Sequence, residues 1–219
     1  MSMQEATTRV IYDVQSLFYD VTFGRLVQRH IQRAITHMDV RDSDVVLDVG
    51  IGTGASLHFF PQRGQIVGID LSAGMLRQCK KKISEQGREN VMVLQGNALG
   101  LPFGDNTFDH VFISHVISVV SDPFLLIREA QRVAKQNARI IIVNHFQSTN
   151  PVIAKVEKWL CPLCTKLGWR SDLALRELMQ RTGMQVDYRY RLESLDLWET
   201  VVICNNKSML GGAAGGLAA

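Results

Sequence analysis

From Asp44 onward, short runs of branched apolar residues alternate with stretches in which apolar side chains recur every three or four positions. The first pattern has the period of a strand and the second that of an amphipathic helix. Strands are predicted at Val45–Val49, Gln65–Asp70, Val91–Gln95 and Phe108–Ser114, with a fifth at residues 139–145 (RIIIVNH). The fifth is continuously apolar at its centre, which predicts a central place in the sheet. Helices are predicted at residues 56–60, stopped by Pro61, at 73–86, capped by Ser72, and at 122–134, with Pro123 in the first turn.

Five such alternations predict a parallel sheet with helices on both faces, an α/β fold class. Beyond Pro151 a helix is predicted to about residue 167 and another at 172–181, then strands at 184–191 and 197–205. The link between these strands is too short for a crossover, so they are expected to pair antiparallel. Ahead of the alternating block, Val14, Leu17, Phe18, Val21, Val27, Ile31, Ala34, Ile35 and Met38 keep helical spacing. They predict one or two amphipathic helices with a break near Gly24. Residues 1–207 are read as a single domain with no internal repeat. Within it, residues 10–40 are expected to form an N-terminal lid and residues 150–182 a helical cover. Residues 208–219, ending GGAAGGLAA, are read as a disordered or appended tail.

Composition narrows this picture only a little. The chain has 219 residues, 46% of them hydrophobic and 21% charged, which is ordinary for a globular domain. A net charge of +3 permits an anionic surface as partner without demanding nucleic acid. The start MSMQEATTR has no apolar core of a secretory signal. No run approaches the roughly 18 apolar residues of a spanning helix. A soluble, cytoplasmic protein that at most lies on a membrane is expected. Cys161 and Cys164 form a C-P-L-C, but no second pair supplies the about four ligands of a zinc site. No metal is therefore expected, and Cys79, Cys161, Cys164 and Cys204 are read as free thiols of a reducing compartment.

The chemistry concentrates in VVLDVGIGTGA, where the first strand ends in an acid and breaks into Gly50, Gly52 and Gly54. Gly50-x-Gly52-x-x-Ala55 satisfies a dinucleotide turn, so the glycines alone do not choose their ligand. Asp70 ends the second strand, 22 positions after Asp48, where an acid can accept both hydroxyls of a ribose. An adenosine is thus expected, in NAD or in S-adenosylmethionine. Asp48 would repel a pyrophosphate and attract a sulfonium and an ammonium. The terminal strand pair, which a two-halved dinucleotide fold does not need, and the run GNALGLPF followed by DNTFD point the same way.

VLDVGIGTG, GIDLSAGML, GNALGLPFGDNTFDHVF and the strand ending SHV resemble the motif series of class I S-adenosylmethionine-dependent methyltransferases, over roughly residues 10–205. The resemblance implies a Rossmann-like fold: a mostly parallel seven-stranded sheet, a terminal antiparallel hairpin, and helices on both faces. It implies S-adenosylmethionine as cofactor and S-adenosylhomocysteine as its product. Carried over by position, Gly50, Ile51 and Gly52 pack on the methionine part, Thr53 and Gly54 continue the turn, and Asp48 orients the ammonium. Asp70, followed by Ser72, holds the ribose, with Leu71 and Met75 against the adenine. Asn97, Ala98 and Leu99 border the adenine edge, and Ser114, His115 and Val116 form the floor between cofactor and acceptor. Many relatives carry Asp where Asn97 stands. Its amide oxygen can still accept from an exocyclic amine, without a charge.

An amine, phenol or enol acceptor must shed a proton. His115 and His145, both at C-terminal ends of central strands, are candidate bases or orienting groups. Each would serve equally well as the partner of a backbone carbonyl. Tyr12 and Tyr19 are placed to close over the cofactor, Tyr19 being the candidate contact and Tyr12 equally a core residue with a wet tip.

Tyr19-Asp20-x-x-Phe23-Gly24, Ser118-Val119-Val120-x-Asp122-Pro123, Val143-Asn144-His145-Phe146 and Leu167-Gly168-Trp169-Arg170 look like soluble bacterial phosphatidylethanolamine N-methyltransferases. That resemblance implies stepwise methylation of a phospholipid headgroup towards phosphatidylcholine, at the inner face of a membrane. Arg25, Arg29 and Arg33 recur every four residues beside an apolar stripe, as an interfacial helix requires, or as any solvated face allows. Lys155, Lys158, Lys166 and Arg170 surround Trp159 and Trp169 in a second basic segment. One of these cations, with Arg25, Arg29, Arg170 and His145 the candidates, would bind the lipid phosphate. The alternatives are a small-molecule or quinone-type methyltransferase, a binding module that has lost catalysis, and an NAD-dependent oxidoreductase. SHVI stands where nucleic-acid methyltransferases carry an Asn-Pro-Pro-aromatic tetrad, which argues against that class.

Overall fold

The computed structural model describes residues 25–148, 172–193 and 198–206, together with residues 152, 153, 155, 159, 161 and 196. In chain order the elements are α1 (Arg25–Met38), β1 (Val45–Val49), β2 (Gln65–Asp70), α2 (Ala73–Glu85), β3 (Val91–Gln95) and β4 (Phe108–Ser114). They continue with α3 (Pro123–Val133), β5 (Ala134–Asn144), α4 (Leu175–Thr182), β6 (Tyr188–Tyr190) and β7 (Glu199–Cys204). Tyr12, Tyr19, Arg170, most of the expected helical cover and the tail lie outside the described residues.

One sheet runs in the order β3-β2-β1-β4-β5-β7-β6. Strands β1 to β5 are parallel, with Asp48 in register with Gly68 on one side and Phe112 on the other. β7 lies antiparallel between β5 and β6. This is the mostly parallel seven-stranded sheet closed by an antiparallel pair, with β5 inside it as its apolar run requires. Strand alternation divides the core between the two faces. Val46, Phe112 and Ile141 point to one face, where Ile31, Ala34 and Ile35 of α1 and Leu76 and Cys79 of α2 cover them. Leu47, Val111 and Ile140 point to the other, under Leu126 and Ala130 of α3 and Leu178 of α4. Burial of such faces at about 25 cal/mol per Å² is what holds the layers together.

The helix ends follow their local chemistry. Ser72 caps α2 by accepting the Met75 N–H at 3.0 Å. Asp122 caps α3 through the N–H groups of Phe124 and Leu125, both at 2.9 Å. α4 starts at Leu175, later than the pattern predicts, because the Leu173 carbonyl is taken by the Gln147 N–H at 2.8 Å. Its end also shortens the next strand: Gly183 turns left-handed and the Met184 N–H returns to the Met179 carbonyl. Strand β5 begins early, Ala134 serving both as the cap of α3 and as the partner of Phe108.

The expected helix at residues 56–60 is not formed. After β1 the chain makes successive turns, closed from Gly54 to Ile51, from Leu57 to Gly54 and from Phe59 to Ser56. The reason is Arg88, whose buried guanidinium collects the carbonyls of Leu57, Phe60 and Pro61 at 2.7, 3.2 and 2.8 Å. Those oxygens have a charged donor and need no continuing helix.

Candidate active site

The strand order reverses between β1 and β4, which opens a crevice over their carboxyl ends. A cavity fills that crevice. The loop after β1 forms its first wall. Gly50 adopts a φ of +70°, and a Cβ placed there would stand 2.0 Å from Val116 Cγ2. Only a glycine lets the β1 loop and the β4 loop approach so closely. The N–H groups of Gly50 and Ile51 return to the Ile69 carbonyl, which ties this loop to the end of β2.

Two carboxylates stand in the wall. Asp48 is 2% exposed, and its Oδ2 accepts the Ser56 hydroxyl at 2.5 Å. Burial pushes its pKa up to about 7, against the hydrogen bond from Ser56 and with a smaller push from Asp70. Asp70 accepts the Gly52 N–H on Oδ2 at 2.9 Å and the Ser72 N–H on Oδ1 at 2.8 Å. Its two oxygens are thereby fixed in the cavity wall. Asn97 spends a first bond internally, its amide oxygen accepting the Leu99 N–H at 2.9 Å.

The far wall comes from the end of β4. His115 has a φ of +61°, donates its N–H to the Val143 carbonyl at 2.8 Å, and sets Nδ1 2.8 Å from Ser114 Oγ. Burial above all, with the nearby His30, lowers its pKa to about 4, so the imidazole is neutral at physiological pH.

The structure brings together nearly all of the sequence-predicted cofactor residues: Asp48, Gly50, Ile51, Gly52, Thr53, Asp70, Leu71, Ser72, Met75, Asn97, Ala98, Leu99, Ser114, His115 and Val116 line the cavity. Gly54 does not line it. A Cβ there would lie 2.9 Å from Cys79 Sγ, so this glycine serves the packing of α2. Nor does His145, which sits half-buried just past β5. Arg29 is on the exposed side of α1, and of Arg25 only its place at the start of that helix is described. Val27 and Ile31 of α1, with Ser56, Ile69 and Phe112, also line the cavity, and no motif of the sequence marks them as site residues. Val27 and Ile31 are four residues apart on one apolar stripe, a signal that reads as core until the sheet is in place.

Among the described lining residues there are two carboxylates and a neutral imidazole but no lysine or arginine. Such a wall disfavours a pyrophosphate and receives a cation. A ribose beside Asp70 and a sulfonium and ammonium near Asp48 match that donor set.

Comparison with known proteins agrees. Residues 47–142 match the family described as "Methyltransferase domain". A phosphatidylethanolamine N-methyltransferase of Cereibacter sphaeroides is 37% identical over 77% of this chain and 83% of its own length. A demethylmenaquinone methyltransferase of Shouchella clausii is 32% identical over 75% and 77%. The crystal structure of YcgJ from Bacillus subtilis superposes with a TM-score of 0.66 at 26% identity, over 75% of this chain and 73% of that one. S-adenosylmethionine is accordingly the methyl donor. The chain belongs to the class I S-adenosylmethionine-dependent methyltransferases.

Proposed function

We propose that this methyltransferase acts on the amine of a phospholipid headgroup, phosphatidylethanolamine and its methylated forms, towards phosphatidylcholine. The likeness that carries this reading is the 37% identity to the Cereibacter sphaeroides enzyme over most of both chains. The site chemistry supports it. An amine acceptor is cationic until it loses a proton, and a wall of carboxylates with a neutral imidazole does not repel it. His115 lines the cavity, and in this reading it stands beside the acceptor. In the fuller reading Tyr19 closes over the cofactor, Arg25, Arg29, Arg170 or His145 meets the lipid phosphate, and residues 10–40 and 150–182 cover the site.

A phospholipid must be met at a surface. No helix of the described residues is long and apolar enough to cross a membrane. Val152 is 70% exposed and Trp159 80% exposed, with Ile153 and Lys155 also on the outside. An apolar and basic helix of this kind suits peripheral binding to an anionic membrane from the cytoplasmic side. The second reading, a quinone-type acceptor, draws on the 32% identity to the Shouchella clausii enzyme.

Product analysis tests the choice. The protein is incubated with labelled S-adenosylmethionine and either phosphatidylethanolamine vesicles or a demethylated quinol. Label in mono-, di- or trimethylated lipid supports the proposal, and label only in the quinol replaces it with the second reading.

A further inference from the structure

A second cavity, of about 260 Å³, opens at the other end of the sheet, beside the amino-terminal ends of β1 and β4. Its volume falls just short of the roughly 300–1,000 Å³ of drug-sized sites, so it suits a small ligand. A break in strand register builds one wall. Phe108 pairs with Ala134 and His110 with Arg139, so β5 carries three extra residues there, which bulge out of the ladder. Among the described residues four non-glycines have positive φ, and two of them, Asp39 and Asn137, line this cavity. A third is His115, in the wall of the crevice. Backbone of this kind gathers at sites that bind.

The charges of the cavity are unequally spent. Asp109 accepts the Val45 N–H at 3.0 Å on one oxygen and Lys135 Nζ at 2.7 Å on the other. Asp44 accepts the Arg41 backbone N–H at 2.8 Å and lies 3.2 Å from His110 Nε2. Both carboxylates thus find their partners within the chain. The arginines differ. Arg139 Nη1 donates to the His37 and Met38 carbonyls, each at 3.0 Å, which closes the end of α1 but brings no carboxylate to the guanidinium. Its Nε and Nη2 keep three N–H groups with no partner among the described residues. The exposed Arg41 guanidinium has neither hydrogen bond nor ion pair among them, and Lys135 has two N–H groups to spare. His110 Nδ1 is buried and also lacks a partner there. Against these stands the exposed Asp39, the lining carboxylate with no partner among the described residues.

We propose that this cavity binds a small oxyanion of the phosphate type, held by Arg41 and Arg139 with Lys135 as a third cation. Planar guanidinium forks and an ammonium are the donors that a tetrahedral oxyanion takes several at a time. Two arginines set against Asp39 leave one positive charge in excess, which favours a single phosphate group over a polyphosphate. The site is separate from the crevice and does not depend on which acceptor is methylated. The phosphate can belong to a soluble compound or to a lipid headgroup, and the experiment separates these sources.

His110 reports on occupancy. Burial above all, with repulsion from Arg139, holds its pKa below the ordinary value, against the pull of Asp44 and Asp109. Asp39, Arg41 and Lys135 complete the charged groups around it. An oxyanion on Arg139 cancels part of the repulsion, so the His110 pKa should rise as the site fills.

The full chain is titrated with inorganic phosphate, glycerol phosphate and phosphatidic acid vesicles while NMR follows the imidazoles. Saturable binding with a raised His110 pKa is expected. Calorimetry then compares Arg41→Ala, Arg139→Lys and, as an exposed control on α2, Arg77→Ala. Affinity should fall at least about tenfold in the first two, since lysine keeps the charge but loses the fork, and stay within about twofold in the control. If only the vesicles raise the His110 pKa, and Arg41→Ala abolishes that effect, a lipid headgroup supplies the phosphate. No saturable response to any of the three probes overturns the proposal. So does a similar affinity in all variants, control included, which marks an adventitious ion only. The wild-type His110 reading needs no variant to fold, and a pKa unmoved at saturation also overturns the proposal.

Discussion

Ser56 donates its hydroxyl to Asp48 across the turn that follows β1, at 2.5 Å and out of reach of solvent. The bond partly offsets the cost of burying a carboxylate, but burial still holds the Asp48 pKa near 7 against an ordinary 3.8. Between those values the folded chain keeps a proton that the unfolded chain has lost. Ligand-free stability therefore declines as pH rises from about 4 to about 7, and the whole penalty persists above that. Asp48→Asn removes it. The variant should be more stable than wild type at pH 8, by at most about 4 kcal/mol, and no more stable at pH 4. Thermal melts at both pH values check the sign. Binding of S-adenosylmethionine favours the ionised carboxylate, so at pH 6.5 it should release a proton from wild type and none from the variant. Calorimetry in buffers of different ionisation enthalpy measures that proton.

Asp70 fixes the loop of Gly52 and the cap residue Ser72 while it lines the cavity. Asp70→Ala should weaken S-adenosylhomocysteine binding by about 2 kcal/mol. Calorimetry on the folded variant measures it, and unchanged affinity would remove Asp70 from the site.

Gly50 and Gly52 both have positive φ, but only at Gly50 does an added Cβ meet a side chain, Val116. Gly52→Ala should cost about 1–2 kcal/mol of backbone strain. Gly50→Ala should cost more and abolish measurable cofactor binding. Val116→Ala in the Gly50→Ala background should recover part of the loss, as coupled neighbours do. Denaturant melts of the four proteins complete the cycle.

Trp159 is helical and 80% exposed, and Val152 and Lys155 are helical and exposed as well. Trp159→Glu should weaken binding to anionic vesicles at least tenfold, a loss of about 1.4 kcal/mol, and leave S-adenosylhomocysteine affinity intact. Charge reversal at Arg25, Arg29 and Arg33 should act in the same direction. Equal vesicle sedimentation of variants and wild type would confine these residues to a solvated face.

The bounds of β1 through β4 are legible in the sequence because each strand is a branched apolar run broken by turn residues, so local pattern and tertiary fold agree. Asp48 and Asp70 are legible for the same reason: one is next to last in β1 and the other last in β2, and the carboxyl ends of strands are where this fold opens its crevice. What is not legible comes from distant partners. Residues 56–60 look helical until Arg88, some 30 residues on, takes the carbonyls of Leu57, Phe60 and Pro61. His30 reads as one more polar position on an amphipathic helix. Its partner Asp196 is 166 residues away, and no local spacing connects them. Gly54 shares a motif with Gly50 and Gly52 yet packs against Cys79, a partner on α2 that the motif does not reveal.

The reversed direction of β7 has a consequence for which chain segments meet the crevice end of the sheet. In a parallel strand the segment that leaves the sheet faces the crevice, and the loops of Asp48, Asp70 and Ser114 do so. In β7 it is the segment arriving at the sheet, with Asp196 and Trp198, that meets the same end. The crevice end of the sheet is thus met by chain segments of opposite polarity, joined to it at separate strands. Insertions or exchanges ahead of β7 can change one rim of the crevice while the loops after β1, β2 and β4 keep their register.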